Sequence, residues 1–439
     1  MERLRTLLVQ PARMIRSSFT CAGAPLKRVR PFRVSPFVFV LVCLLLAGAA
    51  PSERWGFWGH RRINRLAVFT LPPEMIPFFK QNIEYLTEHA VDPDKRRYAT
   101  RHEAVRHYID IDHWGKAPFP EVPRNWTDAL MKFTEVGLLQ PSGDTLLLSR
   151  DTVDGRVLIS LDLGAGKVQA PYASAYRSFF QENLMPQYYE DEWRVDCDTL
   201  RELFGLSAEA LPCASAYAVD HFSEYGILPY HLPVMQRRLT EAFRRKDVPA
   251  ILRTAAEFGH YIGDGHVPLH TTENYNGQLT NQVGIHAFWE SRIPELFADR
   301  EYDYFVGKAD YIADPNAYYW EVVLASHALV DSVLHIEREL SETFPEDKQY
   351  CYEERLGRTI RTQCKEYAAA YHRRLSGMVE QRLRDAVHAI GSAWYTAWVD
   401  AGQPDLNIDR YELSPGEAEE LRALEERVQS GKQQGRAHE

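Results

Sequence analysis

The amino-acid sequence predicts an all-α protein, a multi-helix bundle that carries a small β-containing insertion. Apolar residues recur at three- and four-residue spacing along most of the 439-residue chain, the spacing that places them on one face of a helix. Alternation typical of β-strands is confined to the stretch between about residues 118 and 212. The length suits one large domain or two or three smaller ones, and the net charge of −10 disfavours nonspecific binding to nucleic acid or anionic membranes.

The first predicted element is a signal peptide over residues 1–50. A basic segment precedes the uninterrupted apolar run 37–46, and small residues follow at 47–49. The run is short for a membrane span, although an uncleaved anchor remains an alternative. We therefore expect an exported protein, periplasmic or secreted, whose main domain covers residues 51–410.

The remaining elements follow from hydrophobic periodicity and turn residues. Pro72 and Pro73 end the first helix, and apolar runs on either side of Asp154 and Gly155 predict a β-hairpin within the insertion. Residues 411–439 are strongly charged, so we expect a flexible tail. Helices are predicted over 61–71, 74–89, 232–245, 248–263, 318–343, 353–375 and 378–401.

Four cysteines remain after the signal peptide, and an even number in an exported protein favours disulfides. Their spacing predicts the pairs Cys197–Cys213 and Cys351–Cys364, each closing a short loop. Four free core cysteines are the alternative. A thiolate metal site is not expected, because no cysteine lies near the histidine clusters in the sequence.

Two pairs of side chains at four-residue spacing predict a metal site. His260 and Asp264 form one pair and His286 and Glu290 the other, and residues at i and i+4 of a helix lie on the same face. Each pair can grip one ion with an imidazole and a carboxylate, and His270 adds a third histidine between them. This mixture of ligands suits zinc, and two pairs indicate more than one ion.

Further ordered elements upstream complete a pattern that resembles the superfamily of zinc-dependent phospholipase C and S1/P1 nucleases. The resemblance covers roughly residues 55–405, apart from the insertion, and implies the multi-helix bundle of that superfamily. The matching elements, in order, are Trp55, His60, Asp92 with Lys95, His107 with Asp110, then His260 with Asp264 and His270, and finally His286 with Glu290.

The resemblance implies a centre of three zinc ions. Asp264 would bridge two of them, and the third ion would use His60 and the backbone amine and carbonyl of Trp55. That amine is free only if trimming exposes Trp55, since Ala49 and Ser52 are the better cleavage points for signal peptidase. The other two ligand sets are Asp92, His107, His260 and Asp264, and His270, His286 and Glu290.

Two further residues acquire catalytic roles from the resemblance. Asp110 would orient the attacking water, and Lys95 would neutralise a phosphate oxygen, although a solvated lysine at a helix end is equally consistent. Asp94 competes with Asp92 for the ligand position, which we assign to Asp92. The histidines at positions 102, 113, 231 and 266 match no element of the pattern and are taken as bystanders.

These observations predict an exported zinc-dependent phosphodiester hydrolase acting on a phospholipid or a smaller ester. Glu290 matches the phospholipase C branch, and Ser291 stands where the nuclease branch usually has asparagine. No basic stretch with interleaved aromatic residues suggests a groove for a single strand. The alternatives are an S1/P1-type single-strand nuclease or 3′-nucleotidase, acting on nucleic acid, and a non-catalytic zinc-binding structural protein. No stable protein partner is inferred.

Overall fold

The computed structural model describes residues 57–355, 358–407, 410–431 and 434. The predicted signal peptide and Trp55 lie outside these residues. None of the helices in the described part of the chain combines the length and the apolar character that crossing a membrane requires.

The described part of the chain begins with five α-helices that bring the first candidate ligands together. The helix predicted over 61–71 starts earlier and ends before Pro72, as expected. The helix predicted over 74–89 is divided at Asn82, whose amide donates to the Phe78 carbonyl oxygen at 2.9 Å. The five helices are α1 (Phe57–Ala67), α2 (Ile76–Gln81), α3 (Ile83–Glu88), α4 (Asp92–Arg96) and α5 (Arg101–Ala104).

The insertion and the strand at residues 215–220, just beyond its predicted end, form a six-stranded antiparallel sheet with the strand order β4-β3-β2-β1-β6-β5. The predicted hairpin is confirmed: Val153 pairs with Arg156 across Asp154 and Gly155, which both have positive φ, as its tight turn requires. The sheet and its helices enclose an apolar core of their own. The elements are α6 (Trp126–Phe133), β1 (Thr134–Leu139), β2 (Thr145–Val153), β3 (Arg156–Asp162), β4 (Lys167–Pro171), α7 (Arg177–Asn183), β5 (Trp193–Val195), α8 (Cys197–Phe204) and β6 (Ser215–Asp220).

Among the described residues that follow, the regular elements are helices apart from one β-hairpin. Its elements are α9 (Leu228–Arg245), α10 (Val248–Gly265), α11 (Ile285–Ala287), α12 (Ile293–Glu301), α13 (Pro315–His327), α14 (Val330–Thr343), β7 (Tyr350–Arg355), β8 (Arg358–Gln363), α15 (Lys365–Arg374), α16 (Met378–Asp400) and α17 (Pro415–Ser430). The predictions over 232–245, 248–263 and 378–401 are confirmed as α9, α10 and α16. The segment predicted as one helix over 318–343 forms two, α13 and α14.

The largest core lies between α1, α9, α10 and α16. Trp394 of α16 is fully buried there, and its indole N–H donates to the Ala255 carbonyl oxygen at 3.1 Å. Helix α10 approaches α1 closely because Gly259 and Gly263 have no side chain. A Cβ atom on Gly259 would overlap the side chain of Asn64, and one on Gly263 would press on the His60 ring. The two glycines therefore allow α10 to place its candidate ligands beside His60.

The protein is mostly helical but not purely all-α, which corrects the predicted fold class. Besides the six-stranded sheet, residues predicted to begin a helix at 353 form the β7–β8 hairpin, and the helix α15 starts only at Lys365. The β-branched residues Thr359, Ile360 and Thr362 favour the extended conformation, and the Cys351–Cys364 disulfide joins the two ends of the hairpin.

Both predicted disulfides, Cys197–Cys213 and Cys351–Cys364, are present. The C-terminal segment, for which a flexible tail was expected, contains α17. Ser414 and Glu417 form a capping box at its start, and Val428 near its end is buried.

Candidate metal centre

Buried histidine and carboxylate side chains from six segments meet where α10 passes α1 and α4. They form three groups whose ligand atoms are close enough to hold metal ions: Asp94, His107 and His260; His60, His260 and Asp264; and His270, His286 and Glu290. The four-residue spacing on α10 places His260 and Asp264 on one helix face, as predicted. His286 and Glu290 also come together, with Nε2 2.8 Å from Oε2.

The first group, extended by Asp264, has the geometry of a four-ligand site, which we call site 1. The Nδ1 atom of His107 lies 3.0 Å from both the Nε2 of His260 and the Oδ2 of Asp264, and those two atoms are 3.3 Å apart. The Oδ1 of Asp94 lies 3.7 Å from both ring nitrogens. Ligand atoms around a tetrahedral zinc ion are about 3.3–3.6 Å apart, so this set fits one ion.

The other candidate ions would share carboxylates. Site 2 consists of His270, His286 and Glu290, with the Nε2 of His270 3.5 Å from the Oε2 of Glu290. Site 3 consists of His60, Asp264 and Glu290. There the Nε2 of His60 lies 3.4 Å from the Oδ1 of Asp264 and 3.6 Å from the Oε1 of Glu290. Asp264 thus directs one oxygen towards site 1 and the other towards His60. Glu290 likewise directs its two oxygens towards different histidines.

Several buried polar atoms of the centre have no hydrogen-bond partner among the described residues. They are both ring nitrogens of His60, the Oδ1 atoms of Asp94 and Asp264, and the Nε2 of His107. Buried polar atoms are normally satisfied, because an unpaired one costs free energy. A cation between these imidazoles and carboxylates would satisfy the atoms that face inwards. The donor set therefore fits a divalent metal ion, and its imidazole and carboxylate composition suits zinc.

Burial keeps four imidazoles of the centre neutral, those of His60, His107, His260 and His270. It lowers the pKa of His60 and of His260 to about 3. Burial likewise lowers the pKa of His107 well below its ordinary value and also lowers that of His270. A neutral imidazole has a free lone pair, which is the form that binds a metal ion.

The carboxylates of the centre are in the opposite situation. Burial raises the pKa of Asp94, and it raises the pKa of Asp264 well above its ordinary value, with Asp94 and Glu290 adding repulsion. Grouped acids of this kind ionise readily only beside positive charge. Bound cations would therefore stabilise the ionised form of these grouped carboxylates.

Asp94, and not the predicted Asp92, lies in site 1. The two residues stand two positions apart on α4, so their side chains point about 200° apart around the helix axis, and only one can face the centre. Asp92 instead lies 2.6 Å from the Nδ1 of His89 and 3.2 Å from the Nζ of Lys95. Burial favours the neutral acid, but His89 and Lys95 together hold the pKa of Asp92 below its ordinary value.

Lys95, for which a phosphate contact was predicted, faces carboxylates. Its Nζ lies 3.2 Å from Asp92 and 3.7 Å from Glu425 of α17. Asp110 is 7% exposed and lines a cavity of about 1160 Å³ between the α5 region and the strands β5 and β6 of the insertion. The backbone near it is joined to the centre, since Ile109 N–H donates to the His270 carbonyl oxygen at 2.9 Å. The catalytic roles of Lys95 and Asp110 stay predictions.

The four bystander histidines lie outside the three groups. His266 is buried with its Nδ1 2.7 Å from the Ile262 carbonyl oxygen, and His231 is buried against Tyr261. His113 lies 2.9 Å from Glu273, and His102 contacts the rings of Tyr188 and Tyr189.

A buried acid that sequence analysis missed lies behind site 1. The Oε1 of Glu103 is 3.7 Å from the Nε2 of His107, and Glu103 is 1% exposed. The four-residue spacing from Glu103 to His107 is the same signal that identified His260 and Asp264. Because α5 ends at Ala104, no continuous helix joins the two residues.

The fold and the centre define a mostly helical, disulfide-bonded protein with buried histidine and carboxylate groups that could hold metal ions. Neither the scan against protein-family models nor the search of curated proteins finds a match to this chain.

Proposed function

We propose that this protein is an exported zinc-dependent phosphodiester hydrolase, more similar to phospholipase C than to the S1/P1 nucleases. The observation that carries the proposal is the sharing of Asp264. Its Oδ2 lies 3.3 Å from His260 and its Oδ1 lies 3.4 Å from His60, so one carboxylate serves two neighbouring candidate sites. Closely spaced ions suit phosphoryl transfer, because two of them can contact both the attacking and the leaving oxygen.

The residues have separate tasks in this proposal. Asp94, His107, His260 and Asp264 hold one ion with four side chains. Sites 2 and 3 offer fewer protein ligands, so water and substrate have room there. Bound zinc lowers the pKa of water to about 7 and stabilises negative charge on a phosphate. Asp110, which lines the cavity beside α5, would orient the attacking water.

The charge of the cavity next to Asp110 supports a phospholipid or smaller ester over a nucleic acid. Acidic residues of its lining outnumber the basic residues Arg101 and Arg194; the acidic ones are Asp110, Glu190, Asp191, Glu192, Asp196, Asp220 and Glu224. A polyanionic strand would be repelled by this lining, since nucleic-acid sites are normally basic. The two disulfides agree with export to an oxidising compartment.

The test is hydrolysis of bis-p-nitrophenyl phosphate, phosphatidylcholine and single-stranded DNA by purified protein, before and after chelation and after zinc is restored. We expect zinc-dependent turnover of the first two substrates. Cleavage of DNA without cleavage of phosphatidylcholine would support the nuclease alternative. Stoichiometric zinc with no turnover of any of the three would support the structural alternative.

Replacing the shared carboxylate is a sharper test of the centre. Asp264→Asn should remove ligands from two sites, so we expect the loss of two bound ions and at least a 100-fold fall in turnover, given the effect expected of lost electrostatic stabilisation. His286→Gln is the matched comparison, because it removes one ligand of site 2 and should cost a single ion. Elemental analysis measures the zinc content of both variants. Full zinc content in Asp264→Asn would contradict the bridging role.

A further inference from the structure

Three histidines of the centre are oriented by backbone carbonyl groups. In each, the Nδ1–H group donates to a carbonyl oxygen and leaves Nε2 turned towards a neighbouring ligand. The contacts are His260 to Ala90 at 2.9 Å, His270 to His107 at 2.5 Å, and His286 to Tyr275 at 3.3 Å. The hydrogen bond at one nitrogen selects which nitrogen can bind a metal ion.

His107 has the reverse orientation. Its Nδ1 faces the centre, 3.0 Å from both the Nε2 of His260 and the Oδ2 of Asp264. Its Nε2 points away from the centre, towards the Oε1 of Glu103 at 3.7 Å. His107 is fully buried, so bulk solvent does not reach its ring.

Glu103 is itself held in place by three side chains. Its Oε2 lies 2.9 Å from Arg106 and 3.3 Å from Arg96, and the Tyr261 hydroxyl donates to its Oε1. Arg96 is held in turn by Glu257, whose Oε1 is 2.6 Å away. These contacts fix the position of the Glu103 carboxylate behind His107.

We propose that Glu103 is a positioning residue, which accepts the Nε2–H of His107 and thereby makes His107 a ligand through Nδ1. The inference rests on the proposed metal centre, though not on the substrate. The 3.7 Å separation is longer than a hydrogen bond. We expect it to shorten when His107 binds a cation, because the cation makes the Nε2–H group a stronger donor.

The charge of Glu103 also accounts for the positions of Arg96 and Arg106 beside it. A buried carboxylate near Asp94 and Asp264 would add to the negative charge of the centre. Arg96 and Arg106 pair with Glu103 and compensate that charge locally. Removing Glu103 should leave Nε2 of His107 without an acceptor and the ring free to present either nitrogen.

The test compares Glu103→Gln with Glu257→Gln. Both substitutions remove an acid that binds Arg96, but Glu257 belongs to none of the three groups and has no contact with His107. Zinc affinity is measured by competition with a chromogenic chelator. We expect Glu103→Gln to weaken binding of one ion about 10- to 100-fold, as is typical for loss of such a partner, and excess zinc to restore its turnover. Glu257→Gln should bind all ions as the wild type does.

A second measurement uses the wild-type protein, so it stands even if Glu103→Gln fails to fold. Long-range ¹H–¹⁵N spectra of histidine-labelled, zinc-loaded protein, assigned with His107→Gln, report which ring nitrogen binds the ion. We expect Nδ1 for His107 and Nε2 for His260. Coordination of His107 through Nε2, or equal zinc affinities of wild type and Glu103→Gln, would overturn the role of Glu103. Absence of zinc from the wild type would instead overturn the metal centre itself.

Discussion

Two aspartates on α4 differ in environment although they are only two residues apart. Asp94 lies 3.7 Å from His107 and His260, whereas Asp92 lies against His89 and Lys95. Both are mostly buried and acidic, so composition alone cannot separate them. What separates them is the rotation of about 200° between positions i and i+2 of a helix.

This difference predicts opposite outcomes for two conservative substitutions. Asp94→Asn should weaken zinc binding at site 1 and reduce turnover at least 10-fold, because an amide is a poorer ligand than a carboxylate. Asp92→Asn should retain the full zinc content, since its side chain pairs with His89 and Lys95. Elemental analysis and chelator competition on the two variants check this. Loss of zinc from Asp92→Asn alone would restore the original assignment.

At the scale of elements, α17 is attached to the main body through charged side chains. Glu417 in its first turn accepts hydrogen bonds from the Ser414 hydroxyl at 2.7 Å and from the Tyr411 hydroxyl, and Arg253 of α10 lies 3.3 Å away. Lys95 reaches Glu425 further along the helix. The helix therefore adjoins α4, which carries Asp94.

The attachment of α17 should weaken in acid. The hydrogen bond from Tyr411 is the main cause that lowers the pKa of Glu417 to about 2, against an ordinary value of 4.5. A lowered pKa in the folded state means that its contribution is complete above about pH 4.5 and is lost as the pH falls towards 2. Hydrogen exchange of residues 415–430, corrected for intrinsic rates, should therefore increase several-fold over this range.

Glu417→Gln should produce the same increase at neutral pH, because it removes the charge that Tyr411 and Arg253 contact. Glu426→Gln is the matched control, since Glu426 is an exposed acid on the same helix. If exchange in α17 were the same in Glu417→Gln and wild type, the attachment would depend on Val428 and other apolar contacts instead.

At the scale of the whole molecule, the candidate centre connects segments that are distant in the chain. His60 comes from α1, Asp94 from α4, Asp264 from α10 and Glu290 from the π-helix Phe288–Arg292 that follows α11. All four side chains are buried, and three are acids. Without bound cations, folding must bring these acids together against their mutual repulsion.

Chelation should therefore lower the thermal stability of the entire domain. A metal ion whose free concentration is 100 times its dissociation constant stabilises the folded state by about 2.7 kcal/mol. We expect the melting temperature to fall by several degrees in EDTA and to recover with zinc. Calorimetry measures the shift, and Asp264→Asn should show a smaller one. A melting temperature that changes with neither EDTA nor added zinc would contradict a metal-dependent fold.

The parts of the fold that were predicted correctly depend on short-range patterns. Helices α9, α10 and α16 carry a clear helical period, and Asp154 with Gly155 is a turn dipeptide. The β7–β8 hairpin was missed because its strands are short and rich in charged residues, so the apolar spacing there fitted a helix equally well. Pairing with the neighbouring strand decides such segments, and that pairing is not local.

By itself the sequence determined the helical periods, the two ligand pairs at four-residue spacing and the pairing of the four cysteines. Each depends on residues that are close in the sequence: the ligand pairs are four residues apart and the paired cysteines are 16 and 13 residues apart. Only the tertiary structure decided that Asp94 faces the centre and that Glu103 stands behind His107. These outcomes depend on the rotation of α4 and on contacts such as His107 with Asp264, 157 positions apart, which packing of α1, α4 and α10 creates.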